Sequence, residues 1–401
     1  MTAAFSNIRV IDFSRVIAGP IASQQLALLG ADVVKIEEPG VGDQLRQLAS
    51  TEELSAINTS PMFLAKNVNK RSMTLDLKSE TGRGVVKRLL QDADVVIENF
   101  RAGAMEKLGL GYDYVRSIRP DIIYCSISGY GQSGPEAGAR AYDQAIQAIS
   151  GMMSVTGTPE SGPMRTGYAP VDVPTGQTAA FAIASALFRR AQTGEGQYLD
   201  VAMMDTALTL QTPGIMAHAF GQSTYGLKGN GSLTGEPGVN VFETSDGYIQ
   251  VVAMLGKQAV ALFKLLGVTD HFPEEELKES AYRIANNQEI GRLIREAMAK
   301  RTTDDLLQAL ADVAVPCAPI NNYAQVMEME QLSHRTILAD VDMPAGMEGQ
   351  HKTVTSGFLA NQDGPTITRQ APALGEHTDE ILQEAGYSEA EIRSLHSEGV
   401  L

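Results

Sequence analysis

Short runs of β-branched residues alternate with stretches of helical periodicity through the first two hundred residues of the chain. The runs predict strands over residues 8–13, 32–37, 72–77, 94–98 and 121–128, with a helix over residues 82–91. Consecutive parallel strands need a crossover connection, which is usually a helix. The alternation therefore predicts a doubly wound parallel α/β sheet, in which ligands bind beyond the carboxyl ends of the strands.

The second half of the chain predicts a further, different unit. A helix over residues 176–190 and a strand over residues 197–201 still continue the first pattern. Residues 227–239 are rich in Gly, Asn, Ser, Thr and Pro, which indicates a linker. After this linker we expect a strand over residues 248–253, helices as far as residue 313 and a last helix over residues 388–397.

The chain of 401 residues has a formal net charge of -16 and a pI near 4.9. This charge opposes nonspecific binding to nucleic acid or to a membrane of anionic lipid, so an anionic ligand needs a local basic patch. The basic residues near the predicted strand ends are the candidates for such a patch: Lys70, Arg71, Lys78, Arg101, Lys107 and Arg140. Their positions alone predict that most of them are solvated surface charges.

The two cysteines, Cys125 and Cys317, have neither the number nor the spacing of a disulfide framework, a zinc site or a paired redox motif. A reducing, cytoplasmic setting is therefore expected. The first residues lack the pattern of a secretory signal, and no apolar run approaches the roughly 20 residues that span a bilayer.

Several familiar catalytic and cofactor motifs are missing or unconvincing. The sequence of residues 129–134, GYGQSG, has the spacing of a dinucleotide-binding loop, but Pro135 follows it directly and no ribose-binding acid lies about 20 residues on. We predict a structural turn there. The histidines show no metal-ligand spacing, and His377 is predicted to lie in a turn or a helix cap.

Asp172 has the most unusual setting of any acidic residue in the chain. It lies between apolar neighbours and two prolines, Pro170 and Pro174, just before the predicted helix that begins at Gly176. The helix N-terminus would stabilise its carboxylate, and apolar flanks would desolvate it and make it more nucleophilic. A helix-capping aspartate fits the same pattern, so the residues alone leave both roles open.

Recognisable short motifs occur along nearly the whole chain. The first are RVIDFSRVIAGP at residues 9–20 and LGADVVKIE at residues 29–37. The later ones are NKRS at 69–72, ENF at 98–100, SGYGQ at 128–132, GP at 134–135, YD at 142–143, TGEGQ at 193–197 and LGEHT at 374–378. In these residues and in their order, the chain resembles class III CoA-transferases of the formyl-CoA transferase type.

The resemblance implies that Asp172 is the catalytic nucleophile. In the family mechanism a carboxylate attacks the acyl-CoA thioester to form a mixed anhydride, and the released CoA thiolate then forms an aspartyl-CoA thioester. Coenzyme A and acyl-CoA are substrates, and the family mechanism uses no permanently bound cofactor and no metal. Backbone amides of residues 16–18 or 229–231 are candidate donors to the developing oxyanions.

The resemblance also assigns positions in this sequence to CoA contacts. The implied contacts are Val16, Ala18, Leu75, Lys78, Asn99, Phe100, Lys107, Leu108 and Arg140. Lys107 replaces an arginine of the formyl-CoA transferases, and Glu38 stands where those enzymes carry a basic residue. Recognition of the adenosine phosphates is therefore expected to be rearranged.

Two further departures concern the carboxylic acid substrate. Ile17 replaces a glutamine of the formyl-CoA and oxalate enzymes, and their run of glycines is reduced to Gly229, Asn230 and Gly231. The pattern is more similar to that of succinyl-CoA-dependent members that use dicarboxylic acids. Candidate substrate residues are Ile17, Tyr142, Gly229 and Gly231, with Arg15, Arg46 or Arg165 as the partner of a distal carboxylate.

Family members form an interlocked homodimer, and the resemblance implies the same assembly for this chain. It predicts a large CoA-binding domain of residues 1–225 together with 331–401, and a smaller α+β domain of residues 226–330. The alternatives are an α-methylacyl-CoA racemase and a noncatalytic acyl-CoA-binding protein. The racemase is disfavoured because racemases carry a basic histidine within the region of residues 140–151, and this chain has no histidine there. Only Asp143 and Asp172 then remain as titratable partners for proton transfer.

Overall fold

The computed structural model describes residues 3–221, 226–344 and 346–401. Backbone contacts divide the chain into a larger unit, formed by Met1–Ser150, Thr166–Thr212 and Gln331–Leu401, and a smaller unit, formed by Gly151–Arg165 and Pro213–Glu330. This division differs from the predicted domains in two places. Residues 151–165 and 213–221 belong to the smaller unit, and residues 222–225 of the prediction lie outside the described residues.

The described residues form short strands and helices in close alternation. The strands are β1 (Arg9–Asp12), β2 (Asp32–Glu37), β3 (Lys70–Thr74), β4 (Val95–Glu98), β5 (Ile123–Ser128), β6 (Gly157–Thr158), β7 (Gly162–Pro163), β8 (Gln197–Ala202), β9 (Val239–Glu243), β10 (Tyr248–Val252), β11 (Cys317–Pro319), β12 (Leu338–Asp342) and β13 (Gln350–Val354). The helices as far as residue 219 are α1 (Ala18–Leu28), α2 (Glu52–Ala56), α3 (Pro61–Asn67), α4 (Glu80–Leu89), α5 (Ala104–Lys107), α6 (Tyr112–Ile118), α7 (Asp143–Ile149), α8 (Asp172–Thr193), α9 (Met203–Leu210) and α10 (Thr212–Ala219). The later helices are α11 (Gly256–Leu265), α12 (Glu274–Leu277), α13 (Ser280–Ala285), α14 (Asn287–Met298), α15 (Thr303–Asp312), α16 (Tyr323–Met327), α17 (Glu330–Arg335), α18 (Thr378–Glu384) and α19 (Glu389–Ser397). No described helix is both long and apolar enough to cross a membrane.

The larger unit contains a parallel six-stranded sheet in the order β3-β2-β1-β4-β5-β8. The sequence pattern predicted each of these strands, and their observed bounds differ from the predicted ones by at most three residues. Strand order reverses between β1 and β4, which is where a doubly wound sheet opens a crevice at its carboxyl edge. The parallel α/β prediction is therefore confirmed for this unit.

Buried apolar residues cover both faces of this sheet. On one face, residues of β1, β2 and β4 pack against α4, α6, α18 and α19. On the other face, alternate residues of the same strands pack against α1 and α8. Successive side chains of a strand point to opposite faces, so near-continuous apolar strands are what a sheet covered on both sides requires.

Gly176, near the start of α8, lies directly against helix α1. A Cβ atom at this position would lie 2.5 Å from the Ala18 carbonyl oxygen and 2.7 Å from Ile21 Cβ. The absence of a side chain therefore lets the first turns of the two helices pack directly together. Asp172, at the start of α8, is held beside the start of α1 by this contact.

The C-terminal segment forms hydrogen bonds with β3, which lies at the edge of the sheet. Asn69 donates its N–H to the carbonyl of Arg369 (3.0 Å), and His377 donates its N–H to the carbonyl of Ser72 (2.9 Å). The His377 Nδ1 accepts the N–H of Ser72 (3.3 Å), and its side chain does not cap α18. His377 therefore helps to satisfy an edge strand, as a structural residue.

The smaller unit has its own apolar core. Its sheet is antiparallel, in the order β11-β10-β9, and packs against α11, α14 and α15. Arg283, on α13, and Glu236, just before β9, are both buried and form two hydrogen bonds of 2.8 Å. An α+β architecture was predicted for this part of the chain, and the described residues form one.

The contact at Gly176 predicts opposite effects of two glycine substitutions. Gly176→Ala should lower the free energy of unfolding by about 1–3 kcal/mol, because the added methyl group overlaps α1. Gly84→Ala, in the exposed interior of α4 with open space around it, should raise it by roughly 0.5–1 kcal/mol. Denaturant unfolding of both variants measures the difference. Equal effects would show that α1 and α8 do not depend on this contact.

Candidate active site

A cleft of about 380 Å³ opens in the larger unit beyond the carboxyl ends of β1, β4 and β5. Apolar and small residues form much of its wall, and Asp172 is the one carboxylate among the lining residues. Predicted site residues that line it are Arg15, Val16, Ile17, Ala18, Asn99, Phe100, Arg140, Tyr142 and Asp172. Many of these residues follow parallel strands, whose carboxyl ends share one edge of the sheet.

Asp172 is the first residue of α8, and its own carboxylate does not cap the helix. The helix-capping interpretation of Asp172 is therefore wrong. Asp143, on α7, supplies the acceptor instead: its Oδ2 accepts the N–H groups of Val171 (2.8 Å) and Asp172 (3.0 Å). Asp143 is only 5% exposed, and its Oδ1 accepts a hydrogen bond from the Gln147 amide.

The surroundings of Asp172 raise the pKa of its carboxyl to about 7. Burial is the main cause, because it disfavours the charged form, and the neighbouring charge of Asp143 acts in the same direction. Lys66 opposes both effects and favours the anion. Near neutral pH the group is therefore divided between its protonated form and a basic, partly desolvated carboxylate.

Lys66 is an electrostatic partner of Asp172 that the sequence did not reveal. It lies on α3, partly buried, and its ammonium interacts electrostatically with Asp172 and Asp43. Its one hydrogen bond among the described residues is a long one, 3.4 Å, to the carbonyl of Met62. Nothing in the spacing of α3 distinguishes this lysine from a solvated surface charge, because its importance depends on tertiary contacts.

Asn99 and Phe100 organise the loop after β1. The Asn99 side chain accepts the N–H of Arg15 (2.8 Å) and donates to its carbonyl (2.7 Å). The Arg15 guanidinium lies over the Phe100 ring, 5.2 Å from its centre, and 3.9 Å from Glu38. Glu38 also accepts a hydrogen bond from Lys78 (2.9 Å), so this acidic departure from the family pattern pairs with two cations.

Other predicted contacts lie outside the cleft lining. Leu75 is buried in the apolar core, with Leu108 packed against it. Lys107 is exposed at the end of α5. Arg46 is 0% exposed and forms two hydrogen bonds with Glu37 (2.8 and 2.7 Å). The prediction that Arg46 binds a substrate carboxylate is therefore wrong, since its guanidinium already has a buried partner.

Fewer basic residues line the cleft than the sequence offered as candidates for a basic patch. The Lys70 ammonium is buried 3.2 Å from Asp12, and Arg71 pairs with Asp32 and Glu384. The cations that line the cleft are Arg15, Arg101 and Arg140. Three arginines against one aspartate give the cleft a local positive charge in an acidic protein.

The candidate oxyanion donors can now be compared. Gly229 donates its N–H to the carbonyl of Gly157 (2.6 Å), and Gly231 donates to Lys228 (3.0 Å). These glycines and Arg165 belong to the smaller unit. The N–H of Val16 is bonded to Asp43, whereas those of Ile17 and Ala18 have no acceptor within the described part of the chain. Ile17 and Ala18 are therefore the donors that line the cleft and are still available.

The predicted turn at residues 129–134 agrees with the structure. Gly131 and Gly134 have positive φ angles, and the next helix is α7, which begins at Asp143. Gly131 donates its N–H to the Ser128 hydroxyl (2.9 Å). A dinucleotide-binding loop would lead directly into a helix, so the turn has a structural role.

Known proteins that are similar to this chain include CoA-transferases and a CAIB/BAIF family protein. The CoA-transferase family III pattern matches residues 5–378. The succinate–glutarate CoA-transferase of Agrobacterium fabrum is 35% identical, over 94% of this chain and 95% of that protein. The formyl-CoA:oxalate CoA-transferase of Rhodopseudomonas palustris is 32% identical, over 100% and 98%. The crystal structure of a CAIB/BAIF family protein from Brucella suis has a TM-score of 0.85 at 33% identity, covering 96% of this chain and 100% of that one.

The electrostatic role of Lys66 predicts a change in pH dependence. Lys66→Met removes the cation that favours ionised Asp172, so the carboxyl pKa should rise further and turnover should fall most on the acid side. We expect roughly a threefold or greater loss of kcat/KM at pH 6 relative to pH 9. Lys87→Met is the control, since that ammonium lies over the Tyr114 ring. If kcat/KM fell at the same acidic pH in both variants, this role of Lys66 would be contradicted.

Proposed function

The chain belongs to family III of the CoA-transferases, and we propose on that premise that it transfers CoA between carboxylic acids through covalent intermediates on Asp172. The observation that carries this proposal is the position of Asp172: it is the one carboxylate among the lining residues of a cleft whose other charged residues are arginines, and its pKa is raised to about 7. Desolvation makes such a carboxylate a better nucleophile than a solvated aspartate.

The reaction begins with attack of an Asp172 oxygen on the thioester carbonyl carbon of the donor. The carbon–sulfur bond breaks, the CoA thiolate leaves, and a mixed anhydride forms. The thiolate then attacks the aspartyl carbonyl and releases the donor acid, which leaves an aspartyl-CoA thioester. The acceptor carboxylate attacks this thioester to form a second anhydride, and the thiolate attacks the new acyl carbon to give product and free Asp172. No proton is gained or lost.

The charges of the cleft support this sequence of steps. Each attack places negative charge on a carbonyl oxygen, which amide donors at the start of a helix stabilise. Ile17 and Ala18 supply such amides beside the start of α8. Holding the thiolate in the cleft makes its return effectively intramolecular, which is worth several orders of magnitude in rate. The arginines at the cleft suit the phosphates of CoA.

We assign the acids to the dicarboxylic class, with succinyl-CoA as a donor. The Agrobacterium relative carries succinate and glutarate in its name, and Ile17 offers no side-chain amide to a small acid such as formate. Of the three arginines predicted to hold a distal carboxylate, Arg15 is the one that lines the cleft. A charge-assisted pair between Arg15 and that carboxylate would favour dicarboxylates over monocarboxylates.

A transfer assay with a trapping step tests the function. The wild-type protein should form new CoA thioesters from succinyl-CoA and glutarate, and Asp172→Ala should lose at least about a thousandfold in kcat. Hydroxylamine added during turnover should convert Asp172 into its hydroxamate, visible by mass spectrometry of the peptide.

Asp205→Ala, in α9 and outside the cleft lining, is the matched control and should retain activity. Transfer without any hydroxamate at Asp172 would contradict the covalent route. Loss of an α-proton from a branched acyl-CoA, with no transfer, would favour the racemase instead. Binding of acyl-CoA with neither reaction would leave the noncatalytic alternative.

We also propose that the protein is a homodimer, and that the outer face of α8 contributes to the interface. Phe181 and Phe188 lie seven residues apart on one side of this helix and are 75% and 69% exposed. Burying two large aromatic side chains is worth several kcal/mol, so a soluble protein gains by covering them. In a two-fold symmetric dimer, α8 of each copy would cover the phenylalanines of the other copy.

The proposed interface predicts a change in mass. Phe181→Glu/Phe188→Glu should shift the protein from dimer to monomer at micromolar concentration, because charges are unfavourable in an apolar interface. Sedimentation velocity measures the mass, and circular dichroism establishes that the variant is folded. Phe181→Leu/Phe188→Leu keeps the apolar face and should stay dimeric. A monomeric wild type, or a dimeric Glu variant, would rule out this interface.

A further inference from the structure

Most of the backbone N–H and carbonyl groups in the loop between β1 and α1 form hydrogen bonds with other parts of the protein. Ser14 donates its N–H to the Asp12 carboxylate (2.9 Å), and its carbonyl accepts from the Lys35 ammonium (2.7 Å). Asn99 binds both the N–H and the carbonyl of Arg15 (2.8 and 2.7 Å). A loop at the surface of a cleft would ordinarily leave several of these groups to water.

Val16 follows in this loop with a φ angle of +68°. This left-handed region is unfavourable for a β-branched residue, whose side chain crowds the backbone there. The N–H of Val16 donates to both carboxylate oxygens of Asp43, at 3.0 and 3.1 Å. The strained conformation therefore has a specific partner that holds it.

Asp43 is itself fixed in place. It is 1% exposed, its Oδ2 lies 3.1 Å from the Lys35 ammonium, and its Oδ1 accepts the N–H of Leu45 (3.0 Å). Its own N–H donates to the Glu37 carboxylate (3.0 Å). A buried, paired and hydrogen-bonded carboxylate cannot move away from Val16 without leaving unsatisfied charge.

The turn at Val16 determines where α1 begins. Helix α1 starts two residues later, at Ala18, whose carbonyl lies against Gly176 of α8. The available N–H groups of Ile17 and Ala18 are therefore placed by the conformation of Val16. If Val16 relaxed to a negative φ, the chain would enter α1 in another direction and these amides would leave the cleft wall.

We propose that Asp43 is a positioning residue for CoA transfer. By holding Val16 in its left-handed conformation, Asp43 fixes the N–H groups of Ile17 and Ala18 where the thioester oxygen becomes negative. This inference rests on the proposed function, since it assigns the amides a role in that reaction. Asp43 acts through Val16 and touches no reacting atom.

A double-mutant cycle between Asp43 and Val16 tests the proposal. Asp43→Ala removes both acceptors and should lower kcat about a hundredfold, with KM for the acyl-CoA changed less than about threefold, because misplaced amides fail mainly in the transition state. Asp43→Asn keeps one acceptor oxygen and should lose less. Val16→Gly in either Asp43 background should restore kcat about tenfold, because glycine adopts a positive φ without being held.

Ala49→Gly provides the matched control for this rescue. Ala49 also has a positive φ, +51°, but it is exposed and lies outside the cleft lining. Combined with Asp43→Asn, it relieves backbone strain elsewhere and should restore no activity. Recovery by Ala49→Gly equal to that by Val16→Gly would show a general gain in stability, and would overturn the proposal. So would the absence of any recovery in a folded Asp43 variant.

Amide hydrogen exchange does not depend on catalysis, so it tests the positioning role of Asp43 independently of the proposed function. Amide hydrogen exchange over residues 14–28 should be at least about tenfold faster in Asp43→Asn than in the wild type, and slower again after Val16→Gly. Exchange unchanged by Asp43→Asn overturns the positioning role, whatever reaction the wild-type protein catalyses. A wild type that transfers no CoA, with the exchange pattern as expected, instead removes the proposed function. Asp43→Asn serves for both measurements if Asp43→Ala does not fold.

Discussion

The hydrogen bonds from the start of α8 to Asp143 determine how Asp172 is presented. Asp143 accepts the N–H groups of Val171 and Asp172, so the helix has an acceptor other than the proposed nucleophile. The oxygens of Asp172 are therefore left for chemistry. The same buried acceptor places a second negative charge nearby and, together with burial, raises the pKa of Asp172. One interaction thus fixes the position of Asp172, the proposed nucleophile, and supports its basicity.

The α1–α8 contact extends this arrangement from one helix to two. Gly176 lets the first turn of α8 touch the carbonyl of Ala18, so the starts of both helices lie at the same cleft. Each start is a region of partial positive charge, which suits a ligand that carries phosphates and passes through oxyanions. Catalysis by backbone amides needs no additional side chain, but it requires both helices to begin at defined residues.

Local patterns were sufficient to predict the six strands of the parallel sheet, whereas the role of Asp172 was implied only by the resemblance, and pairing between distant residues was not predictable. Periodicity gave β2 with its observed bounds, because a buried parallel strand is apolar along its length. Arg46 was predicted as a partner of a substrate carboxylate, whereas the structure places Glu37, nine residues away, against its guanidinium. Lys66 was missed as a partner of Asp172 for the same reason, and Asp143 was paired with Asp172 only as a titratable residue, not as the acceptor at the start of α8. Their roles depend on where α3 and α7 pack, and no spacing in the sequence records that.

The buried charges near the loop after β1 are arranged as three pairs. Three carboxylates face three cations: Asp12 with Lys70, Asp43 with Lys35, and Glu37 with Arg46. Because the group as a whole is neutral, it adds little field to the cleft, and the lining arginines decide how an anionic ligand is attracted. Replacing such pairs by apolar residues is often neutral for stability, whereas removing one partner costs about 3–5 kcal/mol. Their contribution is therefore best understood as geometric: each charge holds its partner, and together they hold the backbone of residues 14–16 in one conformation.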